Sequence, residues 1–237
     1  MSTYAPKMWT LGGCLADHAR VLTSIPRIAG AYAGPNAIDP KLNESVMITV
    51  NSVNQCPYCE GLHGQLGRMA GVEDQARLMK AESEQECRAL VNDPAISFAR
   101  SFAENDGRGP AVEAAFRSLE DRLGPGRAAS VRALCWFLLW GSLGGNTVNA
   151  LVSRLKGQSK PGSSFLFELL FFVYYGPLFL VIAILNGLLK LAPRVPKWAS
   201  AGIGLTLTCV GGLWMVIPGT LGILTRPMPR ILGPCPA

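Results

Sequence analysis

Residues 40–71, PKLNESVMITVNSVNQCPYCEGLHGQLGRMAG, decide how this chain is read. Pro40 opens an apolar run through Leu42, Val46, Ile48, Val50 and Val53. Its β-branched residues also permit a strand by local propensity, but a proline at the first position suits a helix. Cys56-Pro57-Tyr58-Cys59 then opens a second helix, with Pro57 in the first turn where its missing N–H costs nothing. Leu62, Leu66 and Met69 give that helix an apolar face, and Gly71 ends it. The stretch predicts a helix, a tight turn and a second helix folded back on the first.

The chemistry lies at the turn. Cys56 and Cys59 are three positions apart, close enough to form a disulfide across one turn. His63 follows Cys59 by four positions, on the same helical face and about 6 Å along the axis. Glu44 lies twelve residues before Cys56, where the preceding helix brings it back to orient the imidazole. A thiol reacts as its thiolate, which a helix N-terminus and a neighbouring base both favour. Such a thiolate attacks a hydroperoxide, becomes a sulfenic acid and condenses with its neighbour. Cys59 is expected to attack because the histidine is in its turn, and Cys56 to resolve. Zinc held by Cys56, Cys59, His63 and Glu44 ranks lower, since zinc sites usually draw on two separate segments. The same dithiol also suits a thiol–disulfide oxidoreductase without peroxide specificity, exchanging with a protein partner. A further alternative is a non-enzymatic, membrane-tethered scaffold.

Outward from this stretch the chain reads as all-α. One short helix is expected near 13–23, followed by a loop containing Pro26, Gly30, Gly34 and Pro35. Further helices are expected near 73–81, over 84–104 with a break at Pro94, and over 110–123 and 125–142. A last soluble helix runs to about Arg154 through the Gly144-Gly145-Asn146 run. The charge-free stretch between Arg132 and Arg154 is too rich in Gly and Asn for a membrane span and reads as a buried core helix. No hairpin signal lies between alternating apolar runs. His18 reads as a surface or capping residue, and Cys14, Cys87 and Cys135 as core residues.

Past a polar linker at 159–164 the composition changes. Residues 169–189 and 198–225 carry no charge, and each is longer than the roughly 20 residues a bilayer core requires. The expected organisation is a helical redox domain over 1–158, a two-helix transmembrane hairpin over 165–225 and a short tail over 226–237. Glu168 is expected at the interface, and Trp198 and Trp214 as anchors. Of the net charge of +6, residues 1–162 contribute +2 and the remainder +4. The basic residues flank apolar runs and form no stripe, so nucleic-acid binding is not expected. Lys190, Arg194 and Lys197 lie between the spans, against Arg154, Lys156, Lys160, Arg226 and Arg230 outside them. This bias predicts a multi-pass protein with the redox domain on the cytoplasmic side. Seven cysteines with one motif pair, and no signal peptide, fit a reducing cytosol.

Glu44, Cys56, Tyr58, Cys59 and His63, with Ala70-Gly71-Val72 after the motif helix, resemble the AhpD-like alkylhydroperoxidases of the carboxymuconolactone decarboxylase superfamily. The resemblance spans roughly residues 35–155. It implies an all-helical fold assembled as a homotrimer or hexamer, and hydroperoxide reduction with the second cysteine peroxidatic. It also implies a dithiol reductant, of the kind a lipoyl-bearing protein supplies, with no metal, haem or flavin cofactor. Tyr58 stands where some members carry a relay histidine, and it does not titrate near neutrality. The superfamily's decarboxylase branch competes, but its chemistry does not need a vicinal dithiol. The apolar helix pair is an addition to the family pattern and is expected either to alter oligomerisation or to direct the enzyme toward lipid hydroperoxides.

Overall fold

The computed structural model describes residues 6–225 except 82, 161–162 and 192–195. Among the described residues the chain forms ten α-helices and no strand. They are α1 (Leu11–Tyr32), α2 (Pro40–Asn54), α3 (Pro57–Ala70), α4 (Gln75–Lys80), α5 (Glu84–Leu90), α6 (Pro94–Glu104), α7 (Pro110–Leu123), α8 (Pro125–Leu155), α9 (Phe165–Leu191) and α10 (Lys197–Leu224). The expected tail, with Arg226 and Arg230, lies outside the described residues, as do Arg194 and part of the linker.

The motif helices follow their local signals closely. Asp39 caps α2, its carboxylate accepting from the N–H groups of Lys41 and Leu42. The helix ends at Gln55, which takes a left-handed conformation at φ 53° and so turns the chain sharply toward α3. Gly71, at φ 80°, closes α3, and the N–H of Val72 reaches back to the carbonyl of Gly67. That left-handed closure is the one glycine tolerates without steric cost.

Two helix boundaries are corrected. The first helix is not short: α1 runs for 22 residues straight through Pro26 and Gly30. Burial of Cys14, His18, Val21, Ile28 and Ala31 against α8 and α10 outweighs the lost hydrogen bond at Pro26. Nor does the chain break near residue 142. Helix α8 continues unbroken for 31 residues, because its glycines serve close packing. A Cβ on Gly144 would come within 3.1 Å of the Phe179 ring. As read from composition, α8 is a core helix, with Leu134, Leu139, Leu143 and Val148 buried.

Helices α9 and α10 are both long and apolar enough to cross a membrane, with mean hydropathies of 2.1 and 1.8 in their most apolar 18-residue stretches. They do not pack mainly on each other. Helix α9 lies on α8 and α3, and α10 lies chiefly on α1. Phe171, Tyr175, Leu178, Phe179 and Met215 thereby join one core with Ile28, Val50, Leu134 and Trp140. The pair meets through reciprocal hydrogen bonds: Tyr174 O–H donates to the Trp214 carbonyl (2.9 Å), and Trp214 Nε1–H donates to the Tyr174 carbonyl (3.0 Å). Their outward faces, including Leu170, Val181, Ile184, Leu213 and Ile217, remain exposed.

Two polar residues hold α9 to the rest. Glu168, in the first turn of α9, is not exposed but buried, bonded by both carboxylate oxygens to Arg154 at the end of α8 (2.8 and 3.0 Å). This forked geometry is what makes an arginine–carboxylate pair specific. His18 is likewise not a surface residue; it is fully buried. Trp140 Nε1–H and Tyr175 O–H both point at its Nε2 (2.8 and 2.6 Å), while its Nδ1 lies 2.6 Å from the Cys14 carbonyl. Since an indole N–H only donates, Nε2 is the unprotonated nitrogen and Nδ1–H donates to Cys14. Burial holds the His18 pKa down at about 4. One imidazole thus joins α1, α8 and α9.

Candidate dithiol site

Cys56 caps the N-terminus of α3 with its own sulfur, Sγ accepting from the Cys59 N–H at 3.3 Å. Its backbone N–H donates to Asn51 Oδ1 (3.2 Å), so the end of α2 fixes the entry into α3. Both cysteines are free thiols, with Cys56 fully buried and Cys59 7 % exposed. Of the two, Cys59 lines a cavity of about 60 Å³.

His63 Nδ1 lies 2.9 Å from Glu44 Oε2, and both residues are buried. A carboxylate accepts, so Nδ1 carries the proton and Nε2 is the ring's free acceptor. His63 lines the same cavity as Cys59. All four residues singled out in the sequence are therefore brought together, Glu44 from α2 and the others from the start of α3.

Sequence reasoning missed Ser142 on α8. Its buried hydroxyl donates to Cys59 Sγ at 3.6 Å, within reach for sulfur. Gly145, one turn on, leaves room for the other thiol, since a Cβ there would sit 2.6 Å from Cys56 Sγ. The available signal was the spacing of small residues, Gly141, Ser142, Gly144 and Gly145, inside an otherwise bulky apolar helix. Such a run marks a surface that something approaches closely.

The hydrogen bond to Cys56, then burial and the charge of Cys56, hold the Cys59 thiol well above its ordinary pKa, while the Ser142 hydroxyl pulls the other way. Cys59 at rest is therefore a thiol and needs a base. Burial, then the charge of Cys56, also raises the Tyr58 pKa, so this phenol stays protonated near neutrality. Its ring packs at 5.3 Å from that of Phe179. Among the described residues, no group of three or more His, Cys, Asp or Glu side chains is arranged to hold a metal ion.

Residues 21–80 match the family model described as the carboxymuconolactone decarboxylase family. The match takes in the second half of α1 and all of α2, α3 and α4, and so includes Glu44, Cys56, Cys59 and His63. The match is confined to those residues, and the family it describes includes AhpD-like alkylhydroperoxidases as well as decarboxylases. No curated protein and no solved structure matches the chain.

Proposed function

We propose that this protein is a membrane-bound, thiol-dependent peroxidase that reduces organic hydroperoxides through a Cys56–Cys59 dithiol/disulfide cycle. The observation that carries the reading is the buried 2.9 Å bond between Glu44 and His63, one helical turn from a cysteine that faces a cavity. Glu44 holds the imidazole with Nε2 available, and Nε2 takes the Cys59 proton as peroxide arrives.

The Cys59 sulfur attacks the terminal peroxide oxygen. An S–O bond forms and the O–O bond breaks, leaving Cys59 as a sulfenic acid. The departing alkoxide takes the proton held by His63 and leaves as an alcohol. Cys56 then attacks the Cys59 sulfur, releasing water and forming the disulfide. An external dithiol, oxidised in its turn, returns both thiols by exchange. Because both sulfurs are buried, a slender dithiol such as a lipoyl arm suits this step better than a rigid protein surface.

The protein is proposed to be held in the membrane by α9 and α10, whose exposed faces meet lipid while their inner faces pack on the redox domain. Assembly as a homotrimer or hexamer belongs to the same reading. Trapping tests the chemistry: Cys56→Ser treated with cumene hydroperoxide should leave a sulfenic acid at Cys59 that a dione reagent captures. A Cys56→Ser protein that yields no adduct at Cys59 contradicts the assignment.

A further inference from the structure

The two apolar helices meet at Tyr174 and Trp214, but nearer the segment that joins them they leave a groove of about 390 Å³. Leu185 forms one wall, and Trp198, Gly202, Ile203 and Leu207 of α10 form the other. Leu207 also lines the cavity over Cys59, so groove and cavity share a wall residue. We infer that this groove is the substrate entrance, and that it takes the acyl chain of a membrane-lipid hydroperoxide directly from the bilayer. The inference rests on the peroxidase reading and names the substrate class for that same site.

Three features select an acyl chain. The groove is walled by the two helices proposed to lie in lipid, so an occupant reaches it without crossing water. Its lining is almost wholly apolar: the Thr206 hydroxyl is already bonded to the Gly202 carbonyl (2.9 Å), leaving little to recognise a polar ligand. The levels also match. Exposed Trp198 begins α10 at the position of an interfacial anchor, and Leu207 lies nine residues further, about 14 Å along the helix. That depth falls among acyl chains, below the headgroups.

At the inner end, the cavity over Cys59 has room for about four waters, enough for a peroxide group and its carbon while the rest of the chain lies outside. Polar side chains line this cavity, His63 and Cys59 together with Tyr32 and Tyr58. A chain in the groove is therefore recognised by apolar contact along its length, and its oxidised carbon is the part that finds hydrogen-bonding groups.

Gly202 provides the test, because a Cβ there meets nothing within 4 Å and a larger side chain projects into open space. The full chain is reconstituted in phosphatidylcholine vesicles and supplied with dithiol reductant. Turnover is measured with phosphatidylcholine hydroperoxide and, separately, with hydrogen peroxide. Gly202→Leu should cut lipid-hydroperoxide turnover about tenfold, leave hydrogen peroxide turnover unchanged, and place Gly202→Ala between the two. Lipid turnover unaffected by both variants, or parallel loss with both peroxides, overturns the entrance and leaves the peroxidase standing. If the unaltered protein consumes neither peroxide, the peroxidase reading falls and the entrance with it.

Discussion

His63 Nδ1 and Glu44 Oε2 lie 2.9 Å apart, and the two residues retain 7 % and 2 % of their solvent exposure. Water cannot substitute for the carboxylate there, so the bond fixes which ring nitrogen is free. His63→Gln should slow hydroperoxide-driven oxidation of the thiols by about a hundredfold, the usual range for a general base. Glu44→Gln keeps a hydrogen-bonding partner but loses the charge, and should slow it by about tenfold. Stopped-flow thiol oxidation at saturating peroxide checks both, and equal rates in all three proteins would remove the relay from the mechanism.

Ser142 acts on the thiolate itself. Losing a hydrogen bond to a charged sulfur is worth about 1.5 kcal/mol, or about tenfold in rate near neutral pH. Ser142→Ala should therefore oxidise more slowly at pH 7, and by the same factor up to pH 9, since in neither protein is Cys59 appreciably ionised over that range. In the unaltered protein the Cys59 pKa already lies above the ordinary 9.0, so the oxidation rate should climb through pH 9 without a plateau. A plateau below pH 8 would mean that a different, more acidic sulfur attacks.

Gly145 tests the packing beneath the dithiol. A methyl group there would meet Cys56 Sγ at 2.6 Å, the Tyr58 ring at 3.1 Å and the Phe179 ring at 3.2 Å. Gly145→Ala should destabilise the protein by about 1–3 kcal/mol and slow disulfide formation, because the resolving thiol is pushed aside. Gly157→Ala strains a left-handed glycine at φ 81° with open space around it, and should leave the dithiol chemistry alone. Denaturation midpoints and disulfide formation rates separate the two variants.

The legible and illegible parts of this fold divide by the range of the interactions that set them. Helices α2 and α3 were readable because Pro40, Pro57 and Gly71 act within a few residues of themselves, and the four site residues sit at fixed intervals on those helices. The length of α1 was not, since what carries it through Pro26 is burial against α8 and α10, far along the chain. His18 looked solitary because its partners Trp140 and Tyr175 lie 122 and 157 residues away. Ser142 stands 83 residues from Cys59, and no local pattern links a serine on one helix to a thiol on another. The apolarity of α9 and α10 was plain, but their preference for α8 and α1 over each other depends on Phe171, Tyr175 and Phe179 finding an existing core.

His18 makes acid sensitivity the expected behaviour. In the folded protein its pKa is about 4, against an ordinary 6.5 in the unfolded chain. As pH falls below 6.5 the unfolded chain takes up a proton that the folded one refuses. Stability should then drop progressively between pH 6.5 and 4, by about 3 kcal/mol in all. His18→Gln, which carries no titrating group, should flatten the profile across that window. Thermal midpoints measured from pH 7.5 to 4 give the comparison, and identical slopes would remove His18 as the cause.

The most direct measurement is a count of free thiols in the detergent-solubilised full chain, before and after one equivalent of an organic hydroperoxide. The dithiol cycle predicts the loss of two thiols per peroxide consumed, with Cys56 and Cys59 joined in the product and no such loss in Cys59→Ser. An unchanged thiol count would contradict the peroxidase assignment at its centre.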